Sequence, residues 1–424
     1  MVRPRMYAAL AVFVITYVVI AVPAVARLGL DRPAAALCGA AAMVVVGALG
    51  LDDALRAIDL HVLVLLIGVL MIAAYLHESR FFRWAAYQVL TRARSARSLL
   101  VGLSLVAATL SALLVNDTVC LVMTPLVVAV AVEARLPVLP YLLALATSSN
   151  LGGVVTFSGN PQNMLVGAAA AGHPSFAAYL LFTLPAGLAC VAANTAALVW
   201  MFRRELPPGP LGERTPPRPA LDRRLTAKAL AALGAFAIMA LAGVALAGAA
   251  ITAAAGLVLV ARVPPRRALT AVDWPLLVFF AGLFVVVAGL RATGLVADVF
   301  AWLAPVIARG DLVGDAAFIV LVVIGSNLVS NVPLAVIAVS WVPSMPHPSW
   351  GYVMLAVAST LAGNLTILGS VANVIVLEGA GPRGEIGFFR FMRYGVVLTT
   401  LSLIVAFAIL AAERALGVGA WLGI

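Results

Sequence analysis

Apolar positions gather into runs long enough for membrane-crossing helices near residues 6–26, 33–50, 60–78, 176–202, 226–246, 248–262, 273–291 and 391–412. A helix needs about 20 apolar residues to cross the hydrocarbon, and these runs lack the short alternating segments of an outer-membrane barrel. Four longer stretches break the pattern. Residues 98–134 and 312–346 exceed one crossing and carry Asn116-Asp117-Thr118 in the first and Ser326-Asn327 with Ser330-Asn331-Val332-Pro333 in the second. Each predicts a re-entrant helical hairpin with a polar tip. Residues 139–171 are interrupted by Ser148-Ser149-Asn150-Leu151-Gly152-Gly153 and Ser158-Gly159-Asn160-Pro161-Gln162-Asn163. Residues 350–380 are interrupted by Gly363-Asn364-Leu365-Thr366 and Leu368-Gly369-Ser370. Each of these predicts a broken helix.

The segment 203–224 holds six Pro and six Arg and predicts a solvated linker between a first half, 1–202, and a second, 225–424. The halves repeat. Asp59-Leu60-His61 lies 214 positions before Asp273-Trp274-Pro275, and the same offset takes Asn150 onto Asn364. Asn116 meets Asn331 at 215, while Gly159 meets Gly369 and Asn163 meets Asn373 at 210. Each half reads as three spans, an amphipathic surface segment, a hairpin, a broken span and a final span. With the hairpin re-entrant, the number of crossings per half is odd, so the second half is inverted. The expected fold is an all-α polytopic membrane protein of two inverted repeats, with about ten transmembrane helices, two re-entrant hairpins and two broken helices.

Composition agrees with that class and removes others. The chain is 64% hydrophobic and 10% charged with mean hydropathy +1.12, too little charge to cover a soluble core. Disorder and a disulfide scaffold are excluded as well; Cys38, Cys120 and Cys190 read as buried small hydrophobes. The net charge of +10 does not indicate nucleic acid. With the segment 79–97 inside, 21 of the 27 basic residues fall on the cytoplasmic face, as the positive-inside rule requires. Both termini come out external, with Arg3 and Arg5 in local conflict. Ala24-Val25-Ala26 resembles a signal-peptidase site, whose use would reverse the later loops. The expected location is a bacterial-type inner membrane.

Broken backbone is tolerated in hydrocarbon only inside protein or around a wet cavity, so the four interruptions point to one site near mid-membrane. Half-helix N-termini suit an anion, and unwound carbonyls suit a cation. The candidate binding residues are Asn116, Asp117, Thr118, Ser149, Asn150, Gly159, Asn160, Asn163, Ser330, Asn331, Asn364, Thr366, Gly369 and Asn373. Asp117 is the sharpest of them, because an Asp in mid-bilayer costs about 2.5–3.5 kcal/mol. It could carry a proton, ligate sodium together with Asn116 and Asn150, pair with a group of the substrate, or cap the returning helix. Val332 occupies the matching place in the second half. Asp52-Asp53 and the four His residues lack metal-ligand spacing, and no catalytic motif appears, so neither an enzyme nor a cofactor is expected.

Leu114-Val115-Asn116-Asp117-Thr118 with Thr124-Pro125 resembles the N-D…T-P segment of arsenite/antimonite efflux permeases and their sodium/proton antiporter relatives. Ser149-Asn150-Leu151-Gly152-Gly153 and Gly159-Asn160-Pro161-Gln162-Asn163 are similar to the G-N-P-x-N element of the same ion-transporter superfamily, which includes citrate and dicarboxylate symporters. The resemblance implies a homodimer in membrane lipid and a transport domain moving against a scaffold. It implies a secondary transporter that carries a small inorganic or carboxylate anion by alternating access, coupled to H+ or Na+. The alternative is a sodium/proton antiporter with Asp117 as ion carrier. The carboxylate symporters use Ser-Asn-Thr at both tips for sodium; here the tips read Asn-Asp-Thr and Ser-Asn-Val.

Overall fold

Helices joined by short turns and breaks make up the described chain, which in this computed structural model comprises residues 2–21, 31–206, 209 and 218–424. The signal-peptidase-like Ala24-Val25-Ala26 and residues 207–208 and 210–217 of the linker lie outside the described residues. The first half opens with α1 (Val2–Ala21), α2 (Arg32–Val45), the short α3 (Leu51–Ala57), α4 (Leu60–Glu78) and the surface helix α5 (Phe81–Arg92). A hairpin follows, α6 (Ala96–Leu113) and α7 (Asn116–Glu133), then the broken pair α8 (Leu139–Gly153) and α9 (Pro161–Ala169), and finally α10 (Phe176–Met201).

The second half restates this order. It runs α11 (Arg223–Leu241), α12 (Leu246–Ala261), α13 (Pro265–Ala271), α14 (Trp274–Ala292) and α15 (Leu295–Ile307). The hairpin α16 (Leu312–Val329) and α17 (Asn331–Ala338), the broken pair α18 (Pro348–Ala362) and α19 (Val371–Gly379), and α20 (Phe388–Ala415) complete it, with α21 (Val418–Leu422) appended. Each helix of the first ten thus has a mate ten places on. The short α3 and α13 were not read from the sequence, because each is a seven-residue helix between two apolar runs, whereas α15 is the amphipathic surface segment of the second half.

The scarce acids explain many helix starts. Asp31, Asp59, Asp222, Asp273 and Asp311 each accept backbone N–H groups at an N-terminus, satisfying donors that would otherwise be orphaned. Within the membrane, small residues set the packing. A Cβ added at Gly68 of α4 would lie 2.6 Å from the Ala250 carbonyl carbon of α12. One added at Gly282 of α14 would lie 2.7 Å from that of Ala36 in α2. Both residues of each pair are 214 positions from their mates, so two reciprocal contacts tie the halves together. Such close approach of backbones needs glycine.

The same contacts reveal the inversion. Gly282 meets Ala36 and Gly289 meets Met43, so α2 and α14 run parallel. Arg267, just before α14, pairs with Glu78 at the end of α4 at 3.7 Å. The mates α4 and α14 therefore point in opposite directions. Packing divides the helices into two bodies: α1, α2, α4, α11, α12 and α14 pack mainly on one another, as do α6–α10 with α16–α20. The first set is called the frame below, and the second the core. The amphipathic α5 and α15 pack between them.

Candidate functional site

Both helix breaks lie in the core and are built alike. Pro161 opens α9 without an N–H to satisfy, and Asn160 caps it by accepting the Asn163 N–H at 2.8 Å. The unwound turn before it leaves carbonyls that helical bonding cannot reach. Asn163 Nδ2 donates to those of Gly153 (2.9 Å) and Thr156 (3.2 Å). Asn373 Nδ2 donates to Gly363 (2.7 Å) and Thr366 (2.9 Å) in the same way. These bonds match at an offset of 210, which corrects the register suggested by the sequence around Asn150. Its mate is Thr360, and Asn364 lies four residues further on.

Side chains then bond within the first repeat and across to the second. Asn116 Nδ2 donates to Asn150 Oδ1 at 2.8 Å, and Asn150 Nδ2 donates to Asn364 Oδ1 at 2.8 Å and Asn373 Oδ1 at 3.4 Å. Ser370 Oγ donates to Asn150 Oδ1 at 3.2 Å. The Thr360 hydroxyl accepts from Asn160 Nδ2 and Gln162 Nε2 and donates to Asn163 Oδ1 at 3.1 Å. All of these amides are at most 1% exposed, and each bond is worth about 0.5–1.5 kcal/mol net where the alternative is an unpaired dipole in apolar surroundings.

The first hairpin tip joins this network and the second does not. The Asn116 N–H donates to the Gly159 carbonyl at 3.0 Å, while Asn116 Oδ1 is buried without a partner. Asp117 is 5% exposed. It caps nothing, since Val115 is the N-cap of α7 and no side chain closes that end. Arg32 and Asp273 are the charged groups near enough to act on it. Thr118 lines a cavity of about 590 Å³, shared with His77, Glu78, Arg80, Arg83 and Asp273. Burial raises the Asp273 carboxyl above its ordinary range, against the Leu276 N–H that it accepts. At the second tip, Asn331 Oδ1 takes the N–H of Val332 at 2.9 Å, and Ser330 sits at φ 70°.

The remaining candidates sit at the edges. Ser149 Oγ donates to the Ala146 carbonyl and contacts Cys120 Sγ at 3.0 Å. Thr366 Oγ1 donates to Asn327 Oδ1 at 2.8 Å, and a Cβ at Gly369 would lie 2.8 Å from that same atom. Thr360 went unnoticed in the sequence, though the 210 register around the breaks would have exposed it, and Asn327, read as part of the polar hairpin tip, was not among the candidate binding residues. None of α7, α8, α9, α17, α18 and α19 carries Lys or Arg. Among the described residues no group of three His, Cys, Asp or Glu could hold a metal ion.

Known proteins match both sequence and fold. A family described as citrate transporter matches residues 11–351. A silicon efflux transporter of Oryza sativa subsp. japonica is 32% identical over 84% of this chain and 87% of its own. An uncharacterized transporter of Mycobacterium tuberculosis is 31% identical over 94% and 96%, and a putative transporter arsB of Dictyostelium discoideum is 23% identical over 89% and 87%. In fold, the crystal structure of the Alcanivorax borkumensis YdaH transporter is similar with a TM-score of 0.53 at 15% identity, covering 98% of both chains.

Proposed function

The chain belongs to the citrate transporter family of multi-pass membrane transporters, and from that premise we propose that it carries a small hydroxylated weak acid by alternating access, coupled through Asp117. The anion foreseen from the sequence is narrowed here by one observation. The helices that build the site carry no basic side chain; around the breaks they supply amides and hydroxyls beside the acid Asp117, and the unpartnered atom at its centre, Asn116 Oδ1, is an acceptor. An acceptor seeks a hydroxyl or a cation, whereas a fully ionised citrate would bring three negative charges among helices that carry no positive side chain of their own. Silicon, named in the rice relative, dissolves at neutral pH as an uncharged tetrahydroxide and fits this chemistry.

Proton coupling follows from the same inventory. A carboxyl in the core that caps no helix is a carrier whose charge changes with its proton. Asn116 Oδ1 and Asp117 are also oxygen donors suited to sodium, which keeps sodium/proton antiport as a second reading. The inner membrane, with the Arg-rich face in the cytoplasm, and a homodimer in lipid belong to the same proposal.

The test is uptake by the purified protein in proteoliposomes. Silicic acid, arsenite, sulfate, citrate and C4-dicarboxylates are offered under imposed proton or sodium gradients. Silicic acid or arsenite flux driven by the proton gradient, abolished by Asp117→Asn, is expected. Sodium-driven citrate uptake overturns the substrate class. Sodium/proton exchange without solute flux favours the antiporter.

A further inference from the structure

The repeat places four charged positions together at one end of the molecule and nearly uncharged ones at the other. Arg32 opens α2, Asp273 caps α14, Asp117 lies in the first turn of α7 and Glu378 lies near the end of α19. Their mates, at offsets of 214, 214, 215 and 210, are Leu246, Asp59, Val332 and Ala168. Three of those mates, Leu246, Asp59 and Ala168, line a single cavity of about 490 Å³ at the opposite end of α4 from the charged cavity. The fold thus gathers these positions in both halves, while the first set holds an arginine and three acids.

The register of α2 against α14 places Arg32 near Asp273 independently. Ala36 sits at Gly282 and Met43 at Gly289, so Arg32 lies level with Val278, on the same end as Asp273 and little more than one turn deeper. Arg32 feels Glu378 and Asp117, and makes no direct ion pair among the described residues. Asp31 beside it is engaged with the Ala34 N–H. His77, Glu78, Arg80 and Arg83, from α4, α5 and the turn between them, line the adjoining cavity against α7.

Arg32 and Asp273 belong to the frame; Asp117 and Glu378 belong to the core. We infer that Arg32 is the positioning residue that makes the ion affinity of Asp117 depend on where the core sits against the frame, with Glu378 competing for the same guanidinium. This rests on the reading of Asp117 as the coupling site. A guanidinium drawn near favours the ionised carboxylate and drives the proton off; one left behind lets the carboxyl hold it. Leu246 and Val332 provide nothing equivalent at the other end, so the device works on one side of the cycle only. Coupling then needs no second acid at the second tip.

The experiment uses the full-length protein in proteoliposomes, with dicyclohexylcarbodiimide as the probe. This reagent modifies carboxyls in their protonated form, and peptide mass spectrometry reports the pH midpoint of modification at Asp117. Arg32→Gln moves that midpoint up by about one pH unit, about a tenfold change in proton affinity. Arg32→Lys restores it, and Glu378→Gln moves it down, because the guanidinium then has one acid fewer to face. Shifts in these opposite directions support the inference, and Glu378→Gln alone decides it if Arg32→Gln fails to fold. Midpoints unmoved in the variants overturn it. If Asp117→Asn leaves proton flux, followed with an internal pH dye, unchanged, the coupling reading itself fails, an outcome distinct from unmoved midpoints.

Discussion

Asn163 and Asn373 show how one residue type does structural and chemical work at once. Each spends its amide N–H groups on two carbonyls of its own helix break, leaving Oδ1 to face the other repeat. Removing the amide strands two buried acceptors, at about 1–3 kcal/mol each. Asn163→Ala and Asn373→Ala should therefore both lower the unfolding temperature in detergent, and Asn163→Asp should do so as strongly, since it keeps the shape but not the donors. Unchanged melting with weakened transport would place these residues in solute binding alone. The sequence made such residues visible because polar side chains are rare in apolar runs. It could not separate those that hold the backbone from those, like Asn116, that keep an atom free, because that distinction lies in which carbonyls and amides the folded breaks bring within hydrogen-bond reach.

Elements were legible where one physical signal dominated. Long apolar runs specify α4, α10, α14 and α20 outright, and polar tips specify the hairpins. What periodicity could not supply was the register between mates, since apolar repeats align nearly as well at 214 as at 210; backbone contacts decide it. Gly68 with Ala250 and Gly282 with Ala36 are the firmest of these contacts. Overpacking a close contact costs about 1–3 kcal/mol. Gly68→Val and Gly282→Val should each cut the yield of monodisperse protein and lower its melting temperature by similar amounts. Gly256→Val, at a position where an added Cβ meets nothing within 4 Å, should leave both unchanged. Unequal losses at the first two sites would argue against equivalent halves.

At the scale of the whole molecule, two bodies meet at cavities on opposite ends of the frame helix α4, one near His77 and Glu78, the other near Asp59 and His61. A 19-residue helix spans about 28 Å, close to the hydrocarbon thickness, so the cavities face different compartments. The buried amide network belongs to the same core helices that line them, Thr118 of α7 at one cavity and Ala168 of α9 at the other. An inverted pair of halves explains this arrangement without a separate gate. On the alternating access proposed above, a shift of the core would exchange the packing of the half facing one side with that of the half facing the other. In a chain with Cys38, Cys120 and Cys190 replaced, Thr118→Cys should react with an impermeant maleimide only from the Arg-rich face, and Ala168→Cys only from the opposite one. Adding the transported solute with its driving gradient should change the two rates in opposite senses, because the bodies cannot open both cavities to the network together. Reaction of both cysteines from one face would contradict the inverted topology. Rates that rise together would contradict alternating access and leave a channel as the simpler description.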